Sequence, residues 1–593
     1  MKFSRPGLPH GLVLLRAYTG RHLPADLVAG LLVAALAVPQ SLGYAAVAGV
    51  PVQVGLYTLP PALLAYALFG SSRLLFVGPV STVSVLSGSI VRGLAGGDPE
   101  LAVQLTSVLA VTAGIGLVVV GLLRAGWVAQ FLSEPIVAGF VAGLVVLIVI
   151  GEIPGLSGLP SPNGSLVERL VTLVGDIPDF HALTLAVGVG ALVVLFAGQR
   201  LAPRMPWGLV VLALAIVVSS ALDLAARGVT VVGAIPRGLP LPSLPVVDIG
   251  LWPSVVTGGL AIGAVAIAEG LAAARTFSPT VDLDPAADDR EFVATGAANI
   301  ASGFFGGMGA GGSLSKTAAN ARAGAFTQVS SVAAAVVVLV FVLAATGLLT
   351  DLPRAVLSAI VIHAVWGLVQ PSLFRRYAAV RRNDLLAAIA AFIGVLALGP
   401  LNGLLLAIGQ SLLGLIYRSM QVHVDEMGRV SGEKAAWGSV RRDSSRRTYP
   451  GILVLRPDGP LFWANANSVM LRIRAAVAEE EDLRALVLDL EATNQMDTTS
   501  AERLSELLAS LRRRGADLHL VRVFGDVRAV LRRSGFLDEL GPEHMWHSIS
   551  AGVKAARSAP VFAEADDAEL DEAGGEHIAS RSDDEEPDGR DRV

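Results

Sequence analysis

The chain reads as a polytopic α-helical membrane protein, a seven-plus-seven inverted repeat of fourteen spans followed by a small cytoplasmic α/β domain. Three observations predict this. The 593 residues are 53% hydrophobic and only 16% charged, far from a soluble average. Apolar runs of roughly 18 to 25 residues recur through about the first 420 positions, each long enough to cross a ~30 Å hydrocarbon core. Two short segments rich in small residues sit seven spans apart in that series, and the pattern after residue 447 changes to alternating strands and helices.

Residues 1–24 form a cytoplasmic N-terminus, since the apolar core of "MKFSRPGLPHGLVLLRAY" is too short for a cleavable signal. The transmembrane region is 25–420, with spans at 25–48, 50–69, 73–94, 102–123, 130–150, 180–198, 206–222, 252–274, 290–306, 312–321, 325–348, 353–370, 383–398 and 401–419. The third begins at "VGPVSTVSVLSGS" and the tenth at "GAGGSLSKTAAN", and both are interrupted by glycine or proline. An odd number of spans per half forces the halves into opposite orientations. Interrupted segments at matching positions of two such halves point to a transporter's midplane site. Basic residues orient the chain: Lys2, Arg5, Arg16, Arg21, Arg73, Arg124, Arg200, Arg204, Arg275, Arg290 and the four arginines of "FRRYAAVRRND" share one side, predicted cytoplasmic together with both termini.

A polar connector, 421–447, leads to a domain at 448–558. There "GILVLRPDG", "PLFWANA", "RALVLDLEA" and "DLHLVRV" read as strands, with amphipathic helices between them. From Val561 onward, 13 acidic residues stand against 3 arginines, so the rest of the chain is near +5 although the net charge is −5. The acidic tail, 559–593, is predicted to be disordered.

The stretch "GGMGAGGSLSKTAAN" (306–320) resembles the end of a phosphate loop but fails its register, because the glycines required before Lys316 fall on Ala310 and Ser315. Its ingredients suit another task. A helix that starts inside a membrane protein presents unpaired N–H groups and a partial positive charge, a ready anion site. The third span, with Ser81 and Thr82 after Pro79, offers a second such end. In an inverted repeat the two ends face each other, with Gly312, Ser313, Ser315 and Lys316 on the second. The plain alternative is that these glycines serve helix packing.

The stretch "AALAVPQSLGYAAVAGVPVQVGLYTLPPALLAYALFGSSRLLFVGPVSTVSVL" (34–86) resembles the signature of the SulP anion transporters, the sulfate permeases. "AIAEGLAAARTF" and "REFVATGAANIASGFFGG" resemble that family's eighth and ninth spans, and "LVLDLEATNQMDTTSAERL" resembles its C-terminal STAS domain. The resemblance implies a uracil-permease-like fold, a division into core and gate parts, and a homodimer. It places Gln40, Tyr44 and Val80 on the anion pocket, and matches Ser315 and Lys316 to a pair in which relatives commonly carry arginine. Lysine is a point charge rather than a planar fork, which alters geometric selectivity. Glu269, a carboxylate in an apolar span, is functional by default. Family members with glutamate here include proton-coupled ones, so the resemblance implies proton symport; hydrogen bonding or pairing with Lys316 is the alternative. Related stand-alone STAS proteins are phosphorylated at a matching turn, which implies a regulatory site at Thr498, Thr499 or Ser500, against ordinary helix capping.

The expected function is secondary active transport of a small anion across the cytoplasmic membrane, with sulfate first and bicarbonate or a C4-dicarboxylate next. An uncoupled anion conductor and a membrane-anchored STAS signalling protein stay open beside it. The expected partners are the anion, protons and the lipid bilayer. The chain has no cysteine, and its nine histidines have no metal-ligand spacing, so no cofactor, metal or enzymatic chemistry is expected. The basic connector lacks the aromatic interleaving of a nucleic-acid site.

Overall fold

The computed structural model describes residue 18 and residues 20–125, 134–160, 166–202, 205–277, 287–431 and 436–558. Lys2, Arg5, Arg16, Arg204 and the acidic tail lie outside these. The chain divides into two units, Met1–Leu412 and Leu413–Val593.

Every predicted span carries a helix. In the first half these are α1 (Leu23–Val47), α2 (Gln53–Phe69), α3 (Ser81–Ala95), α4 (Pro99–Leu122), α5 (Glu134–Ser157), α7 (Ala182–Leu201) and α8 (Trp207–Leu222). The second half has α9 (Trp252–Phe277), α10 (Ala287–Phe304), α11 (Leu314–Arg322), α12 (Val329–Ala344), α13 (Arg354–Trp366) and α15 (Arg382–Met420). Seven described helical stretches are long and apolar enough to cross a membrane. The last two predicted spans are two helices that meet within α15 at a kink, Gly399 (φ 82°, ψ 172°) just before Pro400. Proline withholds an N–H and crowds the turn before it, and glycine tolerates the left-handed φ that results. Two further helices, α6 (Leu166–Gly175) and α14 (Pro371–Val380), lie between the predicted spans; both are short and amphipathic.

The halves interlock. Helix α10 packs against α4 and α2, and α12 against α1 and α2, whereas α13 packs on α5 and α7. Small residues permit the closest crossing. A Cβ on Gly114 of α4 would stand 2.5 Å from the Gly296 carbonyl oxygen of α10, and one on Gly296 would stand 2.7 Å from that of Gly114. Only backbone fits there, the way helices associate where apolar burial gives no drive.

In the second unit a six-stranded sheet has the order β4-β3-β5-β6-β7-β8. The strands are β3 (Val424–Arg429), β4 (Trp437–Ser439), β5 (Ile452–Pro457), β6 (Ala485–Asp489), β7 (Asp517–Val521) and β8 (Met545–Trp546). From β5 to β8 the pairing is parallel, and β3 is antiparallel to both β4 and β5. Alternation decides the faces. Leu453 and Leu455 point with Leu486 and Leu488 into one buried cluster under α16 (Ala466–Glu479) and α17 (Thr498–Arg513). Ile452, Val454 and Val487 point into the other, with Ile549 and Val553 of α20 (Ile549–Ser558); the shorter α18 (Gly525–Arg533) and α19 (Phe536–Leu540) precede it. Two expectations are corrected here. The connector supplies β3 and β4 to the sheet. "PLFWANA" is a turn with one bridge, Leu461 to Met496, because its Asn465 side chain binds the Phe462 N–H and the Pro460 carbonyl rather than leaving the backbone to a ladder.

Candidate functional site

The third and tenth segments are where helix gives way to extended chain. Residues 73–80 lead into α3 through the two-residue strand β1 (Val77–Gly78), and Gly311–Gly312 form its partner β2 ahead of α11. The pair is antiparallel, with Val77 opposite Gly312 and Gly78 opposite Gly311. Val80 (φ −129°, ψ 150°) is the last extended residue before α3, and Ser313 (φ −96°, ψ 114°) holds the same place before α11. The Ser313 hydroxyl accepts the Lys316 N–H at 3.3 Å and caps the helix. Thus Ser313, rather than Ser315, marks the helix end. Ser315 lies in the first turn, exposed, with its hydroxyl 3.3 Å from that of Ser313.

The glycines meet protein. A Cβ on Gly312 would stand 2.6 Å from the Gly270 Cα of α9, and one on Gly311 would stand 3.1 Å from Val80. The packing reading therefore accounts for their lack of side chains, and it is the same packing that brings the two helix starts together. The loop before them is held by polar side chains that sequence reasoning missed. Met308 N–H donates to Thr58 Oγ1 at 2.8 Å, and the Ser302 and Ser107 hydroxyls donate to the Met308 and Gly307 carbonyls. On the other lead-in, the Phe76 N–H donates to Thr317 Oγ1 at 3.0 Å, and Gln328 Nε2 donates to the Ser72 and Leu75 carbonyls. A signal was present: α10 carries Glu291, Thr295, Asn299 and Ser302 as a buried polar stripe at helical spacing.

Around the two helix starts the predicted residues converge. Lys316 is 1% exposed, and its ammonium donates to the Pro79 carbonyl at 2.8 Å while lying 5.2 Å from the centre of the Tyr44 ring. Tyr44 and Gln40 stand one turn apart on α1. Gln40 Oε1 is buried without a hydrogen-bond partner, and Ser81 and Thr82 open α3, with the Thr82 hydroxyl turned toward Glu269. Unpaired buried polar atoms are costly unless something else satisfies them. Glu269 of α9 faces Thr82 and Lys316 and also lines an apolar cavity with Ile136, Val137 and Phe140 of α5. Two helix N-termini, one cation, the serine and threonine hydroxyls at those ends and an amide form a cradle that suits an anion without committing a full ion pair to it. In the second unit, Thr498 is exposed and Thr499 half-buried at the start of α17, whereas Ser500 is fully buried and donates to Asp497 Oδ1 at 2.7 Å.

Broken helices that meet inside an interlocked pair of helical halves define a multi-pass membrane transporter of the inverted-repeat class. The chain belongs to the sulfate permease family: that family's profile matches residues 23–391, and the STAS domain profile matches 444–552. "Probable sulfate transporter" of Mycobacterium tuberculosis is 32% identical over 554 residues, covering 93% of this chain and 98% of that one. "Low affinity sulfate transporter 3" of Stylosanthes hamata is 31% identical over 583 residues, covering 92% and 89%. Among solved structures, the murine solute carrier 26 family member A9 anion transporter in the inward-facing state superposes with a TM-score of 0.86 at 22% identity, covering 94% and 96%. The transmembrane domain of a cyanobacterium bicarbonate transporter gives 0.57 at 22% identity, covering 67% and 98%. These two likenesses show the fold.

Proposed function

We propose that the protein is a proton-coupled secondary transporter that carries a small anion, sulfate first, by alternating access. The anion sits between the N-termini of α3 and α11, with the hydroxyls of Ser81, Thr82, Ser313 and Ser315, the Gly312 backbone, Gln40 and Lys316 as its contacts, and Tyr44 and Val80 as walls. The observation that carries this reading is the pairing of β1 with β2, which joins two helix starts beside the unpartnered Gln40 Oε1. Relatives named as sulfate transporters favour sulfate, and the fold shared with a bicarbonate transporter keeps bicarbonate next, with C4-dicarboxylates after it.

Glu269 is the coupling residue in this reading. Ionised, it repels an anion held a short way off; protonated, it does not, so anion and proton load together. The protein works as a homodimer in the cytoplasmic membrane with both termini in the cytoplasm, and Thr498 is the exposed candidate for phosphorylation in the STAS domain.

The test is uptake into proteoliposomes of radiolabelled sulfate, bicarbonate, chloride and fumarate, with and without an inward proton gradient. Gradient-driven accumulation that Glu269→Gln abolishes, while leaving anion exchange, supports the reading. Flux indifferent to the gradient indicates an uncoupled conductor, and no flux of any of these anions leaves a STAS signalling role.

A further inference from the structure

One helix holds both broken segments. Near its start, the α10 carboxylate of Glu291 accepts the Tyr66 hydroxyl at 2.8 Å, the Ser72 N–H at 3.0 Å, the Ser71 N–H at 3.2 Å and the Ser71 hydroxyl. These donors belong to α2 and to the lead-in to β1. Eight residues later, about 12 Å along the axis, Asn299 grips the other lead-in at both poles: Oδ1 accepts the Ala310 N–H at 2.9 Å, and Nδ2 donates to the Ala310 carbonyl at 2.7 Å. Ala310 adjoins β2, and Ser72 is five residues before β1. Thr295, between them on the same stripe, is buried at the Gly270–Gly312 contact level.

Neither Glu291 nor Asn299 belongs to the anion cradle, yet each fixes the chain that leads into one half of it. We propose that α10 is a yoke and that Glu291 and Asn299 are positioning residues, which set the spacing of the α3 and α11 N-termini and through it the affinity and size preference for the anion. The inference rests on the anion-transport reading above. A carboxylate suits the first position because it accepts several donors at once and offers none. A carboxamide suits the second because a peptide group presents one donor and one acceptor, which only a side chain with both can match.

The experiment measures KM, Vmax and melting temperature for sulfate and chloride transport by the full chain in proteoliposomes, with Glu291→Gln, Asn299→Asp and Tyr66→Phe. Glu291→Gln places donors against donors, and Asn299→Asp places an acceptor against the Ala310 carbonyl. Displacing a binding group by a fraction of an ångström is costly, so KM for sulfate should rise roughly tenfold in both, and the sulfate-to-chloride preference should change, with Vmax per folded protein held within about twofold. Tyr66→Phe, which removes one of the Glu291 donors and keeps the ring, should shift KM in the same direction by less. It decides the matter if the other two do not fold. Variants that lose melting temperature or yield with KM and anion preference unchanged overturn the yoke. A wild-type chain that moves none of the anions overturns the transport reading instead.

Discussion

Lys316 reaches back across the repeat boundary: its ammonium, on α11, donates to the main-chain carbonyl of Pro79 at the foot of α3, 2.8 Å away. The bond joins the two broken segments at the level where their helices start. It also answers how a buried cation is accommodated beside Glu269: the ammonium is bound to a carbonyl and stacked over Tyr44, with donors left over for an anion.

Removing that ammonium should therefore harm both fold and site. Lys316→Met leaves the Pro79 carbonyl without its donor, a loss of about 1–3 kcal/mol for a buried acceptor, and takes the one cation from the cradle. A lower melting temperature together with a raised KM for sulfate is expected, both read on purified protein. Lys316→Arg keeps the charge but spreads it over a planar fork too broad for the same contact. Its expected signature is a changed preference between sulfate and bicarbonate in competition uptake, with charge-dependent binding retained.

The glycines give a paired prediction. Gly312→Ala drives a Cβ to 2.6 Å from the Gly270 Cα, backbone that cannot yield without separating β2 from α9. A cost of about 1–3 kcal/mol is expected, as for overpacking, with loss of sulfate binding. Gly93, inside α3, has open space at its Cβ position. Gly93→Ala should hold or raise stability by about 0.5–1 kcal/mol. Thermal unfolding of the two variants in one detergent checks both signs.

Much of this was legible in the chain, for reasons that differ by element. The spans follow from apolar length, and the Gly399–Pro400 break is written as "GP". The broken segments announce themselves by small residues at matching places in the two halves. What the sequence hides is partnership over long separations. Nothing local says that Met308 will bond to Thr58, 250 residues away, or that Glu291 will gather Tyr66 and Ser71. Similarly β3 and β4 lie in a stretch that reads as a connector, because β4 is only three residues long and the arginine-rich stretch "SVRRDSSRRT" around its end dominates the composition.

At the start of α17 the three hydroxyls are not equivalent. Asp497 caps the helix, accepting the Ser500 N–H at 2.8 Å, the Ser500 hydroxyl and the Trp463 N–H at 2.7 Å. Desolvation opposes ionisation there, but the Ser500 and Trp463 donors outweigh it and hold the Asp497 carboxyl below its usual range. A depressed carboxyl stabilises the fold above its unfolded pKa, and that contribution is lost as pH falls through the folded value. Asp497→Ala should cost about 1 kcal/mol at neutral pH, as a lost cap does, and should flatten the acid side of the stability curve. Thr498→Glu adds charge where the helix N-terminus welcomes it and water reaches it. Ser500→Glu buries a second carboxylate beside Asp497. Circular dichroism and limited proteolysis should therefore show a native STAS domain for the first and an unfolded one for the second.

His519 supplies the last prediction. It lies on β7, 5% exposed, and its Nδ1 accepts the Trp546 indole N–H at 3.2 Å, so the ring is neutral on that nitrogen. Burial, with the nearby His544 imidazole second, lowers its pKa to about 4. The unfolded chain takes up that proton near the ordinary histidine value of about 6.5. Between the two values the unfolded state binds more protons than the folded one, so stability falls as pH drops. The stabilisation is complete above roughly pH 6.5 and is lost progressively toward pH 4, by at most about 3 kcal/mol for a shift of this size. Hydrogen exchange of Asp517–Val521 in the full-length protein, followed from pH 7.5 to 4.5 and corrected for intrinsic rates, should show that loss. His519→Gln keeps an acceptor for Trp546 but cannot be protonated in this range, and it should remove the dependence. Protection that is equally pH-sensitive in both proteins would assign the effect to another group.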